Sequence, residues 1–221
     1  MKKFFLNKKL IFIIAIVLKT LLLPFGAHPF DFWSFATVVE RNVIYSWPIF
    51  DHWNKGIILP FVWKTQYLIA QLFIKITSIN PLFAERFFIK LPYLLIDVII
   101  FFLIRKISQA LGYDKKTQDR VQIIWILNPI IYFVYGVHGH YEILVCLGIV
   151  LSLYGLVKKK MFVSALGLSV AISTMYFPIF FLPYLLLWIY KNNHGKTVNF
   201  IVYLLFFSAI LFSNLLFCKE N

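Results

Sequence analysis

Acidic residues, cysteine and charge in general are scarce in this sequence. It has 9 Asp and Glu and 2 Cys among 221 residues, and charged side chains make up only 14% of the chain. Cys146 and Cys218 have no metal-site spacing and give no disulfide framework. No Walker loop, GxGxxG fingerprint, HExxH motif or Ser-His-Asp order is present. These absences leave redox chemistry and the common nucleotide-binding and metalloprotease motifs without support.

Apolar side chains are abundant instead. The chain is 61% hydrophobic and 19% aromatic, with a mean hydropathy of +0.82, which is outside the range of soluble globular domains. A helix needs about 20 apolar residues to cross a bilayer, so about seven crossings fit the chain once its polar loops are set aside. No repeat or linker divides it. We predict one all-α integral membrane domain over residues 1–221, a polytopic bundle of about seven transmembrane helices.

The apolar runs define a first span over residues 10–27, an external loop over 28–87 and the remaining spans within 88–217. The predicted spans are Leu10–Ala27, Phe88–Ile104, Val121–Val137, Tyr141–Val157, Met161–Phe177, Pro178–Ile189 and Val198–Phe217. Pro178–Ile189 is too short to cross alone, and proline cannot continue the helical hydrogen-bond ladder. We therefore predict a sharp break near Tyr176–Pro178 between two paired segments.

The basic residues predict the orientation of these spans. With a cytoplasmic N-terminus, the inner segments would hold 14 of the 22 basic residues but only Asp114 and Asp119 as acids. The inner basic residues are Lys2, Lys3, Lys8, Lys9, Arg105, Lys106, Lys115, Lys116, Arg120, Lys158–Lys160, Lys191 and Lys196. This asymmetry is the positive-inside pattern, so the net charge of +13 needs no nucleic-acid partner. Lysine-, phenylalanine- and isoleucine-rich usage, typical of an AT-rich microbial genome, favours the plasma membrane.

Two segments have a second interpretation. The N-terminal MKKFFLNKK followed by an apolar run fits a signal peptide, but Lys19 and the length of Leu10–Ala27 favour a retained helix. Within the external loop, polar residues recur at helical spacing on one face of Gly56–Asn80. We predict an interfacial helix over residues 57–79 on the outer leaflet, with an eighth span as the alternative.

Ionisable residues inside predicted spans are costly and therefore functional or structural. Lys19 and Asp97 lie at similar depth, roughly 12 and 14 Å from the outer ends of their helices. We predict a buried ion pair that fixes the packing of the first two spans, with a proton or ion relay as the alternative. Asn128, before Pro129 in the third span, is predicted to donate hydrogen bonds across helices.

Two polar clusters are predicted on the outer side. The first contains His28, Asp31, Glu40, Arg41, Asp51, His52 and Lys55, and the second contains His138, His140 and Glu142. The second set could bind zinc, or its members could simply be solvated. Asp31 lies at the membrane boundary among aromatic residues, where partial desolvation would suit a general base. Its alternative role is an N-cap for the following helix.

The order of several motifs resembles the GT-C integral-membrane glycosyltransferases that use polyprenyl-phosphate sugars. The likeness runs from residue 10 to about 190. Its motifs are Asp31 after the first span, Lys90-Leu91-Pro92 through Asp97, Asn128-Pro129 in the third span, and the turn Gly139–Glu142. Two departures are Met175-Tyr176-Phe177-Pro178, where relatives carry a lysine or other polar group, and a length about half that of relatives. The resemblance implies one of three things: the chain is the N-terminal catalytic module of such an enzyme, the product of one half of a split gene, or a degraded remnant.

The resemblance implies hexose transfer from a polyprenyl-phosphate sugar to a lipid or glycan acceptor on the non-cytoplasmic face, with Asp31 as base. Charge and depth make Lys64, Arg86, Lys90, His138, His140 and Glu142 candidates for substrate or phosphate binding, and Tyr176 a substitute donor. The lysines could instead anchor the chain to lipid headgroups. Membrane lipids, the lipid-linked sugar and a second membrane chain are the expected partners. No metal or other cofactor is indicated.

Non-enzymatic alternatives remain open. The chain could be a lipid or solute transporter in which Lys19 and Asp97 line a path. It could also be a non-catalytic membrane subunit that packs against a second chain through its small residues, because Ala165, Ser169 and Ser173 recur at four-residue spacing on one helix face.

Overall fold

The chain folds into helices connected by short turns. The computed structural model describes residues 8–28, 31–47 and 58–212, and these ranges contain no β-strand. The α-helices are α1 Lys8–Leu22, α2 Asp31–Tyr45, α3 Ile58–Thr77, α4 Pro81–Ala110, α5 Lys115–Ile126, α6 Pro129–Tyr132, α7 Glu142–Val157, α8 Met161–Thr174, α9 Leu182–Asn193 and α10 Thr197–Leu211. A π-helical stretch, Phe133–His138, follows α6, and 3₁₀ turns at Phe177–Phe181 and His194–Lys196 flank α9. The all-helical prediction is confirmed for these ranges.

Within the described ranges, two helical segments are long and apolar enough to cross a membrane. They are Pro81–Ala110 and the run Lys115–His138, whereas Glu142–Val157, Met161–Thr174 and Thr197–Leu211 are apolar but shorter. The predicted count of seven crossings is not confirmed in the described ranges, because turns shorten several helices below the roughly 20 residues a crossing needs. The end of the predicted span Val198–Phe217 lies outside the described residues, as do Asp51, His52 and Lys55 of the first outer cluster.

α3 packs along the first half of α4. Its inner face buries Trp63, Tyr67 and Ala70, and the Trp63 indole N–H donates to the Tyr93 hydroxyl at 2.6 Å. Asn80 caps α4 by accepting from the Leu82 N–H at 2.9 Å. The predicted helix over residues 57–79 is therefore present as Ile58–Thr77, and its interfacial position stays a prediction.

Short polar caps begin the next two helices. Asp114 is the N-cap of α5 and accepts from the Thr117 N–H at 3.3 Å. Asn128 accepts from the N–H groups of Ile130 and Ile131 at 2.9 and 3.4 Å, with Pro129 in the first turn of α6. Asn128 therefore caps its own helix, as suits a residue that precedes an N1 proline, and its predicted hydrogen bonds across helices stay a prediction.

The Asp114 cap makes the start of α5 sensitive to acid. Hydrogen bonds from Thr117 hold the pKa of Asp114 below its ordinary value of about 3.9. A lowered folded-state pKa contributes stability above the unfolded pKa, and this is lost as the pH falls through the folded pKa. We expect the hydrogen-exchange protection of the Thr117 N–H, measured against its intrinsic rate at each pH, to fall below about pH 4 in the wild type. Asp114→Asn, which also caps helices, should abolish this pH dependence, and an unchanged acid response in that variant would contradict the assignment.

α7 and α8 pack with their backbones in close contact. A Cβ on Gly155 would lie 2.4 Å from the Ser164 nitrogen, and one on Gly167 would lie 2.5 Å from the Ser152 nitrogen. The hydroxyls of Ser152 and Ser164 share a hydrogen bond of 3.1 Å. Small residues allow this approach, as they do between membrane helices generally.

Gly167→Ala should consequently destabilise the α7–α8 pair. The added methyl would press on backbone atoms that cannot rotate away, at a cost of about 1–3 kcal/mol. Thermal unfolding in detergent would measure the loss. Gly195→Ala is the matched control because a Cβ there meets nothing within 4 Å. Equal melting temperatures for the two variants would show that the close contact contributes nothing.

The small-residue face of α8 is buried within the chain. Ala165 and Ser169 are both 0% exposed, and the Ser169 hydroxyl donates to the Leu204 carbonyl oxygen of α10 at 3.3 Å. Ser173 is 1% exposed. The prediction that this face docks a second chain is wrong, because α10 already covers it.

Basic residues gather at one end of the bundle. α1 and α5 begin there and α4 ends there, and the α7–α8 and α9–α10 turns lie beside each other at that end. Lys8 of α1 contacts Asp119 of α5, and the Lys196 ammonium lies 3.5 Å from the Lys159 carbonyl oxygen. The opposite end contains Gly26, His28 and the turn around Gly139.

Candidate functional site

A carboxylate with three donors lies inside the N-terminal half of the bundle. The Lys19 ammonium of α1 is 2.6 Å from Asp97 Oδ2 of α4. The Tyr135 hydroxyl donates to the same oxygen at 2.7 Å, and the Trp125 indole N–H donates to Oδ1 at 2.7 Å. Asp97 is 0% and Lys19 6% exposed. We call Lys19, Asp97, Trp125 and Tyr135 the Asp97 centre.

The Asp97 centre joins three parts of the bundle. α1 supplies the cation, α4 the carboxylate, and the run α5–α6–π-helix supplies both neutral donors. The Tyr132 hydroxyl adds a bond to the Lys19 carbonyl oxygen at 3.2 Å, and its ring lies 5.9 Å from the Lys19 ammonium. A buried charge pair is tolerable only when opposite charge and hydrogen bonds replace water, and here both are present. The arrangement therefore suits a fixed link between helices.

Lys90 forms a second link nearer the opposite end. Its ammonium donates to the carbonyl oxygens of Gly26 and Gly136 at 2.8 and 2.7 Å, and lies 3.5 Å from that of Phe25. The side chain is 0% exposed. Lys90 thus ties α4 to the loop after α1 and to the π-helical stretch. The Lys90 ammonium, a candidate phosphate ligand by its charge and depth, instead donates to backbone carbonyl oxygens.

Three histidines converge next to this link. The His28 N–H donates to the His138 carbonyl oxygen at 3.0 Å, and the rings of His28 and His138 have centroids 5.2 Å apart. The His140 ring is 6.1 Å from each of the other two. His140 Nδ1 lies 3.1 Å from Glu142 Oε1. In the part of the chain that the structure describes, no group of three or more His, Cys, Asp or Glu side chains is arranged to hold a metal ion.

A glycine fixes the turn that carries these histidines. Gly139 has φ of +81°, and a Cβ there would lie 2.6 Å from the Phe32 ring of α2. Only glycine adopts this conformation without strain and also leaves room for Phe32. The turn is therefore held against α2, directly after the π-helical stretch.

The other predicted site residues whose side chains the structure describes do not join one cluster. The Arg86 guanidinium lies 5.8 Å from the Trp33 ring, and Lys64 is half-buried on α3. Tyr176 is exposed and stacks on Phe212 with centroids 6.2 Å apart, in the C-terminal half. Asp31 begins α2, and its side chain is outside the described residues.

The neutral partners of the buried charges are absent from the residues predicted from the sequence. Trp125 and Tyr135 complete the Asp97 centre, and Gln122, 0% exposed, accepts from Lys8 and donates to the Phe101 carbonyl oxygen at 2.9 Å. Gln118, Gln122 and Trp125 are spaced four and three residues apart, which places them on one helix face. This polar stripe on α5 is the feature of the sequence that could have indicated these partners.

The comparison with protein families decides the class. A family model described as GPI transamidase subunit PIG-U matches residues 61–219, well over half of the chain. The chain belongs to the PIG-U family. No curated protein and no solved structure matches it significantly.

Membership of the PIG-U family overturns the glycosyltransferase interpretation. PIG-U proteins are subunits of GPI transamidase. The predictions of hexosyl transfer, of a polyprenyl-phosphate sugar donor and of a mannosyltransferase-like enzyme are therefore wrong. The role of Asp31 as a base depended on that reaction. The predicted plasma-membrane location is unsupported, whereas the helices fit membrane insertion. The inference from the motifs failed because Lys90 and Asp97 link helices in this fold. Their order along the chain does not distinguish a structural role from a catalytic one.

Proposed function

We propose that this chain is a non-catalytic membrane subunit of a GPI transamidase complex. The match of residues 61–219 to the PIG-U family carries the proposal. It also agrees with the non-enzymatic alternative drawn from the sequence, in which the chain partners other membrane proteins. The whole chain, residues 1–221, would act as one membrane domain with its N-terminus on the cytoplasmic side.

The chemistry of GPI attachment explains the need for such a subunit. A protein destined for a GPI anchor carries a hydrophobic C-terminal tail of about 10–20 residues, which is removed when the anchor is attached. The protein tail and the lipid anchor both reside in the bilayer, so they must be brought together there. A helical bundle stiffened by the Asp97 centre and by Lys90 supplies a fixed surface for assembly within the membrane.

The proposal is tested by removing and restoring the chain in its source cells. Loss should leave a GPI-dependent reporter with its hydrophobic tail uncleaved, and wild-type chain should restore the anchored product. An affinity-tagged chain should co-purify transamidase activity. Normal anchoring without the chain, together with solitary purification, would contradict the proposal. Mass spectrometry of the reporter C-terminus separates the cleaved and uncleaved forms.

A further inference from the structure

A cavity at the basic end of the bundle has the composition of a lipid-headgroup site. It measures about 670 Å³ and lies between the beginnings of α1 and α5. Four cationic side chains and one carboxylate contribute to its wall. The excess of positive charge means that an anionic occupant would be favoured.

The carboxylate already has a partner. Asp119 Oδ1 is 2.5 Å from the Lys8 ammonium, which also donates to the Gln122 side-chain oxygen. This pair joins the two helices that form the cavity. The cations of Lys115, Lys116 and Arg120 remain on its exposed rim.

The backbone N–H groups at the beginning of α5 do not account for the affinity of this cavity for anions. Asp114 caps the helix and accepts from the Thr117 N–H. The positive potential comes instead from side chains on the first two turns of α5, with Arg120 four residues after Lys116 on the same face. Side chains of this kind reach a phosphate from several directions.

The remaining wall of the cavity is apolar. Ile123 and Ile124 line it, and Ile124 is 60% exposed. Ile123 is about 10 Å further along the helix axis than Lys116. The cations lie at the beginning of the candidate span Lys115–His138, and the two isoleucines lie further inside it. The charged rim of the cavity thus matches the headgroup of a phospholipid, and its apolar interior matches an acyl chain.

We propose that this cavity binds the headgroup of an anionic phospholipid, with its phosphate at Lys115, Lys116 and Arg120 and an acyl chain along Ile123 and Ile124. Charge complementarity and the apolar wall together select a lipid over a soluble anion. Basic pockets beside membrane helices recognise lipid headgroups in this way. The site is independent of the transamidase assignment.

The test uses the whole chain in detergent micelles with phosphatidylinositol 4-phosphate as probe and phosphatidylcholine as reference lipid. Native mass spectrometry counts the lipids retained. We expect the wild type to retain the anionic probe in preference to phosphatidylcholine. Lys115→Gln, Lys116→Gln and Arg120→Gln combined should weaken the affinity about 100-fold, since each cation near a membrane surface contributes about fivefold.

The matched control removes the same number of charges from the same end. Lys158→Gln, Lys159→Gln and Lys191→Gln combined should weaken binding less than about fivefold, the effect of one surface charge. Circular dichroism should show both triple variants folded, because the replaced side chains of both variants are exposed. The single variant Arg120→Gln provides the same comparison with a smaller change.

Three results would overturn the proposal. Equal losses in the two triple variants would mean diffuse surface attraction. Equal retention of phosphatidylcholine and the anionic probe would mean that the apolar wall alone binds lipid. Displacement of the probe by inorganic phosphate at equal concentration would mean that the rim binds a soluble anion.

Discussion

Asp97→Ala is expected to lower the free energy of unfolding by about 3–5 kcal/mol, the usual cost of leaving one member of a buried ion pair without its partner. The Lys19 ammonium would stay buried, and the Trp125 and Tyr135 donors would lose their acceptor. Thermal unfolding in detergent would measure the loss. Anchoring of the GPI-dependent reporter should fall with it.

A charge-neutral double variant separates a structural pair from a proton or ion relay. Lys19→Met with Asp97→Asn removes both charges, and the new amide can accept from the Trp125 N–H with its oxygen and donate to the Tyr135 hydroxyl oxygen with its NH2 group. We expect this pair to recover most of the stability lost in Asp97→Ala, since replacing both members of a buried pair is often neutral or stabilising. Reporter anchoring should recover as well. Full stability without any recovered anchoring would favour the relay and contradict the structural role.

Lys90→Met should have the second-largest effect. It leaves the carbonyl oxygens of Gly26 and Gly136 buried without their donor, and each such group costs about 1–3 kcal/mol. The loop after α1 and the π-helical stretch should then open locally. Hydrogen exchange at residues 26–28 and 136–140 would report the opening, and thermal unfolding the total loss.

Lys64→Met is the matched control for this variant. Lys64 is half-buried on α3, so its replacement should change stability by no more than about 0.5 kcal/mol. If Lys90 bound a phosphate instead, Lys90→Met would leave stability and hydrogen exchange unchanged. That outcome would contradict the link described here.

The charged residues of the apolar helices were easier to find than their partners. Lys19 and Asp97 stand out because a charge inside an apolar run is costly, and equal depth along two helices placed them within reach. Trp125 and Tyr135 do not stand out in a chain that is 19% aromatic. Their position depends on the rotation of α5 and on the π-helical stretch, where the backbone departs from regular helical spacing.

The same limit explains the wrong inference from Lys90. An ammonium ahead of a proline in a membrane helix can bind a lipid phosphate or backbone carbonyls, and the sequence is identical in both cases. Gly26 and Gly136 lie 64 and 46 residues away in sequence, so their carbonyl oxygens reach Lys90 only through tertiary packing. Ala165 and Ser169 show the same ambiguity, because a small-residue face fits α10 as well as it fits a second chain.

The sequence by itself determined the helical class, the break near Pro178 and the two charges that lie within apolar helices, because hydropathy, proline and isolated charge act locally. Only the tertiary structure decided which donors surround Asp97, that Lys90 holds backbone carbonyls, and that α10 covers the small face of α8. These outcomes depend on the rotation and relative position of helices that are distant in sequence, and the composition of one helix does not specify them.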